Sequence, residues 1–121
     1  MTLSEIANEL VAGCREHRER ANLHALYAPD AQSVEGADMG NGTTVTGIAA
    51  IEGKHDWWDN SMTVHTSTVD GPFPHGPDRF AVIFDVDFTE KTSGKRSQMR
   101  EVGVYHVKDG KIVKEEFFYA T

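Results

Sequence analysis

Glu101 and Glu115 stand inside runs of Val, Tyr and Phe in the last quarter of the sequence, RSQMREVGVYHVKDGKIVKEEFFYAT (96–121). A glutamate so placed is either a solvated outer residue of a strand or a carboxylate turned into an apolar interior. In the second case two neighbouring carboxylates raise each other's pKa, so that one serves as a protonated donor and the other as a base. The competing reading is a satisfied buried network in which they bind a histidine, a lysine or an ordered water. Register decides between inside and outside, and register follows from the elements that carry the two residues.

Other residue patterns point to less chemistry. Asp85 and Asp87 form a D-x-D pair, but the strand register argued below turns both outward beside Arg100, so no metal is expected there. The six histidines, at 17, 24, 55, 65, 75 and 106, show none of the spacings of strong zinc sites. The glycine-rich stretch GADMGNGTTVT (36–46) lacks the lysine and spacing of a phosphate-binding loop and reads as an ordinary loop ending in a brief extended piece. Cys14 has no base partner in view and reads as helix core. No cofactor is expected.

The elements follow from periodicity and breakers. Leu3, Ile6, Leu10, Val11 and Cys14 recur at spacings of three and four, which predicts an amphipathic helix over 3–20, and Thr2 with Glu5 makes a capping box. A short second helix over 22–28 stops before Pro29, because the residue preceding proline disfavours helix. AQSVE (31–35) reads as a strand. IAAIEGKHDWWD (48–59) is a third helix that puts Ala50, Ile51, Lys54, His55 and Trp58 on one face. Met62 to Val69 is a strand, and GPFPHGPD (71–78), with three prolines, is a long turn. In FAVIFDVDFTE (80–90) Phe80, Val82, Phe84, Val86 and Phe88 alternate with Ala81, Ile83, Asp85, Asp87 and Thr89, the mark of a strand buried on one face. Turns at 92–95 and at Asp109-Gly110 lead into strands 97–107 and 111–120. Helices followed by a strand meander give an α+β fold with a curved antiparallel sheet and helices packed on one face.

Charge pairing chooses the register. A four-residue loop at 92–95 sets Asp87 opposite Arg100, whereas a three-residue loop would set Asp85 opposite Glu101, and like charges directly opposite destabilise. In the last hairpin a two-residue Asp-Gly turn would place Lys114 inward. A three-residue loop (108–110) places Val113, Glu115, Phe117 and Tyr119 inward and avoids burying a lysine. Glu101 and Glu115 then become diagonal neighbours, with Cβ atoms ~7 Å apart. Trp58 and Tyr105, with Phe84, Phe117 and Tyr119, line a flat apolar pocket or simply form core, and Lys54 shares the inward helix face or snorkels to the edge. Trp57 falls outside that pocket.

The 121 residues make one domain, 1–121, with 39% apolar and 26% charged residues, a soluble globular composition. A net charge of −7 argues against nucleic acid or an anionic membrane as partner. One cysteine allows no intrachain disulfide and fits a cytoplasmic setting. Val11-Ala12-Gly13-Cys14 has the look of a lipoprotein cleavage box, but no basic residue precedes it and Glu5, Asn8 and Glu9 interrupt any apolar run. No stretch approaches the roughly 20 apolar residues of a spanning helix. Without a secretion signal, the acceptor pattern Asn41-Gly42-Thr43 reads as chance. The outer sheet face would carry Ile83, Val102, Val104, Ile112 and Phe118, apolar enough to predict a homodimer.

LYAPDAQSVEG (26–36), the G-x-A-A-I helix start (47–51) and VYHVKDGKIVKEEFFY (104–119) resemble the NTF2-like superfamily, called cystatin-like in older fold descriptions, and in particular its SnoaL-like branch. The GKHDWW segment and the EEFFY ending resemble a bacterial subgroup of that branch. The resemblance implies a cone-shaped pocket between the sheet and three helices, and dimerisation through the outer sheet face. It places Glu35 at the pocket mouth, where ketosteroid isomerases of the superfamily carry their base, and His65 at a pocket-lining position. The matching positions for the isomerase tyrosine and protonated acid are about Val11 and Gly103, so that activity does not carry over. The polyketide cyclases of the branch use a pocket aspartate, and no motif here assigns that role to one residue.

The expectation is a small hydrophobic or aromatic ligand in the cone and cofactor-independent acid/base chemistry upon it: isomerisation, cyclisation, dehydration or hydrolysis. Glu35 or Glu101 would abstract a proton next to a carbonyl, while protonated Glu115 and His65 would stabilise the oxyanion. A His65–carboxylate pair would serve as a proton shuttle. The alternatives are a non-catalytic ligand-binding module and a dimeric interaction module.

Overall fold

The structure is a computed structural model and describes residues 1–38, 40 and 42–119. The acceptor asparagine at 41 and the end of the expected last strand lie outside the described residues. Helix α1 (Leu3–Arg15) opens with the expected capping box: the Glu5 amide donates to Thr2 Oγ1 at 3.2 Å, and the Thr2 amide donates to Glu5 Oε1 at 2.8 Å. It ends earlier than its periodicity suggests, because His17 adopts a positive φ of 58° and redirects the chain into α2 (Glu19–Leu26). Strand β1 (Tyr27–Val34) starts directly from that helix. Strand β2 (Thr44–Thr46), α3 (Ile48–Ser61), β3 (Met62–His75), β4 (Arg79–Glu90), β5 (Arg96–Lys108) and β6 (Lys111–Tyr119) complete the order.

The strands form one sheet in the order β2-β1-β6-β5-β4-β3. The fold is α+β as expected. The sheet is antiparallel except for β1, which runs parallel to β6 with Ser33 beside Glu115. That pairing places the short β1 inside the sheet, where it sets the floor of the site. Ile6, Leu10, Val11, Leu23, Leu26 and Ile51 from the helices meet Phe80, Val82, Tyr105 and Ile112 from the sheet in one buried core.

Three further expectations change. The segment 71–78 is not a long turn. Strand β3 continues through Gly71-Pro72-Phe73-Pro74 to His75, and only 76–78 form the turn. Prolines are tolerated there because β3 is an edge strand with one unpaired side, and irregular pairing between Asp70 and Phe73 absorbs them. The β4–β5 register is displaced by two residues: Asp85 faces Arg100 and Asp87 faces Gln98, with the loop at 91–94. Opposite charges still meet, Asp85 with Arg100 at 3.0 Å and Asp87 with Arg96 at 2.8 Å, so two registers satisfied the same charge rule. The third concerns β5–β6. Asp109 and Gly110, with φ of 52° and 74°, form a two-residue turn of the tight hairpin kind. Pairing then slips between His106 and Val107, so that Tyr105 faces Glu115 while Val107 faces Ile112. The extra residue restores the inward direction of Glu115. It also turns Ile112, expected on the outer face, into the core, where it is fully buried.

Candidate active site

The inner faces of β1, β5 and β6 bring the functional residues together. Glu115 is buried against Tyr105, its direct cross-strand neighbour. Its carboxylate accepts a hydrogen bond from the Tyr27 hydroxyl at one oxygen and from Ser33 Oγ, at 2.7 Å, at the other. Ser33 is fully buried, which removes it as a nucleophile, and it accepts from Lys54 Nζ at 2.6 Å. Lys54 also pairs with Glu35 Oε1 at 2.5 Å and lies over the Phe117 ring, 5.4 Å from its centre. The Tyr119 hydroxyl donates to the other Glu35 oxygen at 3.2 Å. One hydrogen-bonded chain therefore runs Tyr27–Glu115–Ser33–Lys54–Glu35–Tyr119, from the core to the rim.

Local sequence explains this placement. Ala31 and Ser33 of β1, with Glu35 just past its end, alternate toward the inner side, and burial falls from complete at Ala31 and Ser33 to partial at Glu35. Gly36 follows because a side chain there would meet the Phe117 carbonyl oxygen at 2.8 Å, and this close approach carries Glu35 alongside Tyr119. The Gly47 amide donates to the Ala31 carbonyl at 2.8 Å and fixes the start of α3 on β1, which directs Lys54 at Ser33.

Glu101 lies on the same sheet face, directly between Phe84 of β4 and Tyr119 of β6. Among the described residues no hydrogen-bond partner reaches its carboxylate. Burial, then the charges of Glu35 and Glu115, push its pKa up from 4.5 to about 7, against a lowering by Lys54. Burial and the nearby carboxylates hold the Tyr27 and Tyr105 hydroxyls above their ordinary range, so both stay protonated.

The remaining expected residues fall apart from this cluster. His65 does not point inward. It is exposed, and its Nε2 lies 2.7 Å from Thr89 Oγ1. The slip in β3–β4 pairing between Val64 and Thr66 falls at this residue, so a register carried along the strand fails there. Glu101 and Glu115 share a face but are not diagonal neighbours, since Gly103 and Phe117 separate the Glu101–Tyr119 and Tyr105–Glu115 pairs. Both oxygens of Glu115 accept bonds within the fold, so it is placed as an acceptor, not as a donor to a ligand. Tyr105 stacks on Phe80 at 5.0 Å and meets Phe117 edge-on at 6.2 Å, which makes it core. Trp58 packs on Phe88 at 5.1 Å, and Trp57 is exposed. Burial pushes the Cys14 thiol up to about 12, outside nucleophilic range. Tyr27 and Ser33 escaped the sequence reading. Ser33 was findable, two residues from Glu35 on one strand face; Tyr27 was hidden by assignment to a helix.

Two surface hollows lie elsewhere. One of about 600 Å³ is bounded by Ala28, Asp30, Gln32, Thr46, Lys108 and Lys111 among others, and one of about 320 Å³ by Cys14, Arg15, His17 and Ser67–Val69. Neither includes Glu101, Lys54 or Glu115. No group of three or more His, Cys, Asp or Glu among the described residues could hold a metal ion.

The helices, the sheet order and the inner-face cluster define a domain of the NTF2-like kind. An NTF2-like protein from Burkholderia thailandensis superposes with a TM-score of 0.85 at 22% identity, covering 99% of this chain and 92% of that one. The chain belongs to the SnoaL-like domain family, whose profile matches residues 1–119. A Mesorhizobium loti structure described as a candidate SnoaL-like polyketide cyclase (carbohydrate phosphatase) is 37% identical, with a TM-score of 0.90 and coverage of 98% of this chain and 100% of that one. A protein of ketosteroid isomerase-like fold from Catenulispora acidiphila, in complex with trimethylamine, has a TM-score of 0.73 at 21% identity, covering 99% and 88%. No curated protein matches the sequence.

Proposed function

We propose that this chain binds a small hydrophobic or aromatic carbonyl compound against the Phe84–Glu101–Tyr119 row and performs cofactor-independent acid/base chemistry of the isomerase, cyclase or dehydratase kind. The observation that carries the reading is Glu101, an inward carboxylate between two aromatic rings with a pKa raised to about 7. A group with its pKa near working pH serves as base in one step and acid in the next. In the proposed step Glu101 takes a proton from the carbon next to the carbonyl. The C–H electron pair becomes the C=C bond of an enolate, and the carbonyl oxygen takes the negative charge. Lys54 replaces the expected His65 and Glu115 as the oxyanion stabiliser, once its contact with Glu35 yields to the ligand. Return of the proton at a second carbon completes an isomerisation, and attack of the enolate carbon on another carbonyl completes a cyclisation.

The cyclase description of the similar Mesorhizobium loti chain supports this reaction class, and the trimethylamine complex supports small-molecule occupancy of such folds. The proposed assembly is a homodimer through the outer sheet face.

The test is hydrogen–deuterium exchange. Cyclic and aryl ketones are incubated with the protein in D2O, and loss of the proton signal next to the carbonyl is followed by NMR. Wild type is expected to accelerate exchange of at least one ketone, and Glu101→Gln to slow it by roughly 10²–10⁴-fold. Exchange equally fast in that variant would exclude Glu101 as the base. Ketones that shift protein resonances saturably without exchanging would identify a ligand-binding module instead.

A further inference from the structure

Glu115 is the most buried carboxylate of the cluster, and the mechanism above does not use it. Its two oxygens are occupied by Tyr27 and Ser33. A buried charge without a cation in direct contact is costly, and it persists where hydrogen bonds satisfy it. The useful consequence lies one bond further on. The Ser33 hydroxyl has one proton, and that proton is directed to Glu115 at 2.7 Å. Its oxygen lone pairs therefore face Lys54 Nζ, 2.6 Å away. Were the carboxylate absent, the hydroxyl proton would lose its acceptor and Ser33 could swing its oxygen away from the ammonium. Glu115 thus fixes which way Ser33 points, and Ser33 fixes one of the three ammonium hydrogens. Glu35 takes a second at 2.5 Å.

A lysine ammonium is a rotatable point charge on a flexible four-carbon stem. Holding it at one place favours catalysis, because a preorganised charge costs no rearrangement as the oxyanion forms. The charged groups facing Lys54 are Glu35 by direct contact and Glu101 and Glu115 within the cluster. Of these, Glu35 is at the rim and half-buried, so a ligand can displace it. The Glu115–Ser33 contact is inside the fold and stays.

We propose that Glu115, clamped by Tyr27, is a positioning residue that acts through Ser33 to hold the Lys54 ammonium ready for a ligand oxygen when Glu35 lets go. This rests on the reading of Lys54 and Glu101 given above.

The first test needs no substrate. The ¹⁵Nζ–¹H signal of Lys54, identified by its loss in Lys54→Arg, is compared in wild type, Ser33→Ala, Ser33→Thr and Glu115→Gln. The proposal expects a protected Lys54 signal in wild type, loss of the signal through fast exchange in Ser33→Ala and Glu115→Gln, and recovery in Ser33→Thr, which keeps the hydroxyl. A signal equally protected in Ser33→Ala overturns the proposal. Should Glu115→Gln fail to fold, Ser33→Ala, which removes a single oxygen, carries the test alone.

The second readout is ketone exchange. Ser33→Ala is expected to lower kcat about tenfold with KM nearly constant, the pattern of a lost transition-state contact. A change in KM alone overturns the role in positioning. Glu101→Gln separates the two readings: if it leaves exchange intact while Ser33→Ala still frees Lys54, the base assignment falls and the positioning of Lys54 stands.

Discussion

Glu101 combines two properties that are usually set against each other, and both follow from its surroundings. Its carboxyl is raised from 4.5 to about 7, first by burial and then by Glu35 and Glu115. Between those values the folded chain keeps a proton that the unfolded chain has released. The stability this provides is fully present below about 4.5 and is lost as pH rises through about 7. The ionised carboxylate then costs at most about 3 kcal/mol. Glu101→Gln, neutral at every pH, is therefore expected to melt above wild type at about pH 8 and close to it at about pH 4. Thermal melts across that range check this, and parallel curves for the two proteins would mean that Glu101 titrates like an exposed glutamate. The same variant is expected to be slowed in ketone exchange, so it would gain stability where it loses function. Alternation together with charge pairing and the cost of a buried lysine turned Glu101 and Glu115 inward, because side-chain direction depends on strand parity. Their separation depends on the register along the strand, and a shift of two residues keeps every direction while changing every neighbour. His65 was lost for the complementary reason: a pairing slip at one residue undoes parity beyond it.

The β5–β6 hairpin shows the same logic at the scale of an element. The sequence reading kept Lys114 out of the interior by lengthening the turn. The chain uses a two-residue turn and one extra residue near Val113, and reaches the same inward Glu115, Phe117 and Tyr119. Burial energy selects the outcome, and nothing in the residue types marks which of the two devices supplies it. The turn itself leaves a clear requirement. Gly110 sits at φ 74° directly after Asp109 at φ 52°. An L side chain in that region costs about 1–2 kcal/mol. Gly110→Ala is thus expected to lower the unfolding free energy by that amount, read as a lower urea midpoint with little change in the slope, while an unaltered midpoint would show that the turn relaxes to another type. The start and apolar face of helix α1 were legible because cap and periodicity are local, whereas its end at Arg15, set by the positive φ of His17, was not. The continuation of β3 through two prolines was not, because only the finished sheet reveals that this strand is an edge.

At the scale of the whole molecule, the outer sheet face carries an apolar row on which the proposed homodimer would form. Ile83, Val102 and Phe118 stand in one row across β4, β5 and β6, and Phe118 is 52% exposed. Polar pairs flank the row, Asp85 with Arg100 at 3.0 Å on one side and His106 Nε2 with Glu116 Oε1 at 2.7 Å on the other. A two-fold axis through such a patch sets apolar row on apolar row and lets the charged margins face each other or water. The loss of Ile112 to the core narrows this surface relative to the sequence reading and concentrates it on Phe118. Sedimentation velocity is expected to show a dimer for wild type at micromolar concentration, and Phe118→Asp to shift it to monomer by placing two carboxylates near the axis. Because Phe118 points away from Glu101, Ser33 and Lys54, the monomeric variant is expected to keep the protected Lys54 signal. A wild-type chain that sediments as a monomer would remove the second copy from this face. A Phe118→Asp dimer would move the contact elsewhere, the edge strand β3 with its exposed Val64 and Phe73 being the next apolar surface available.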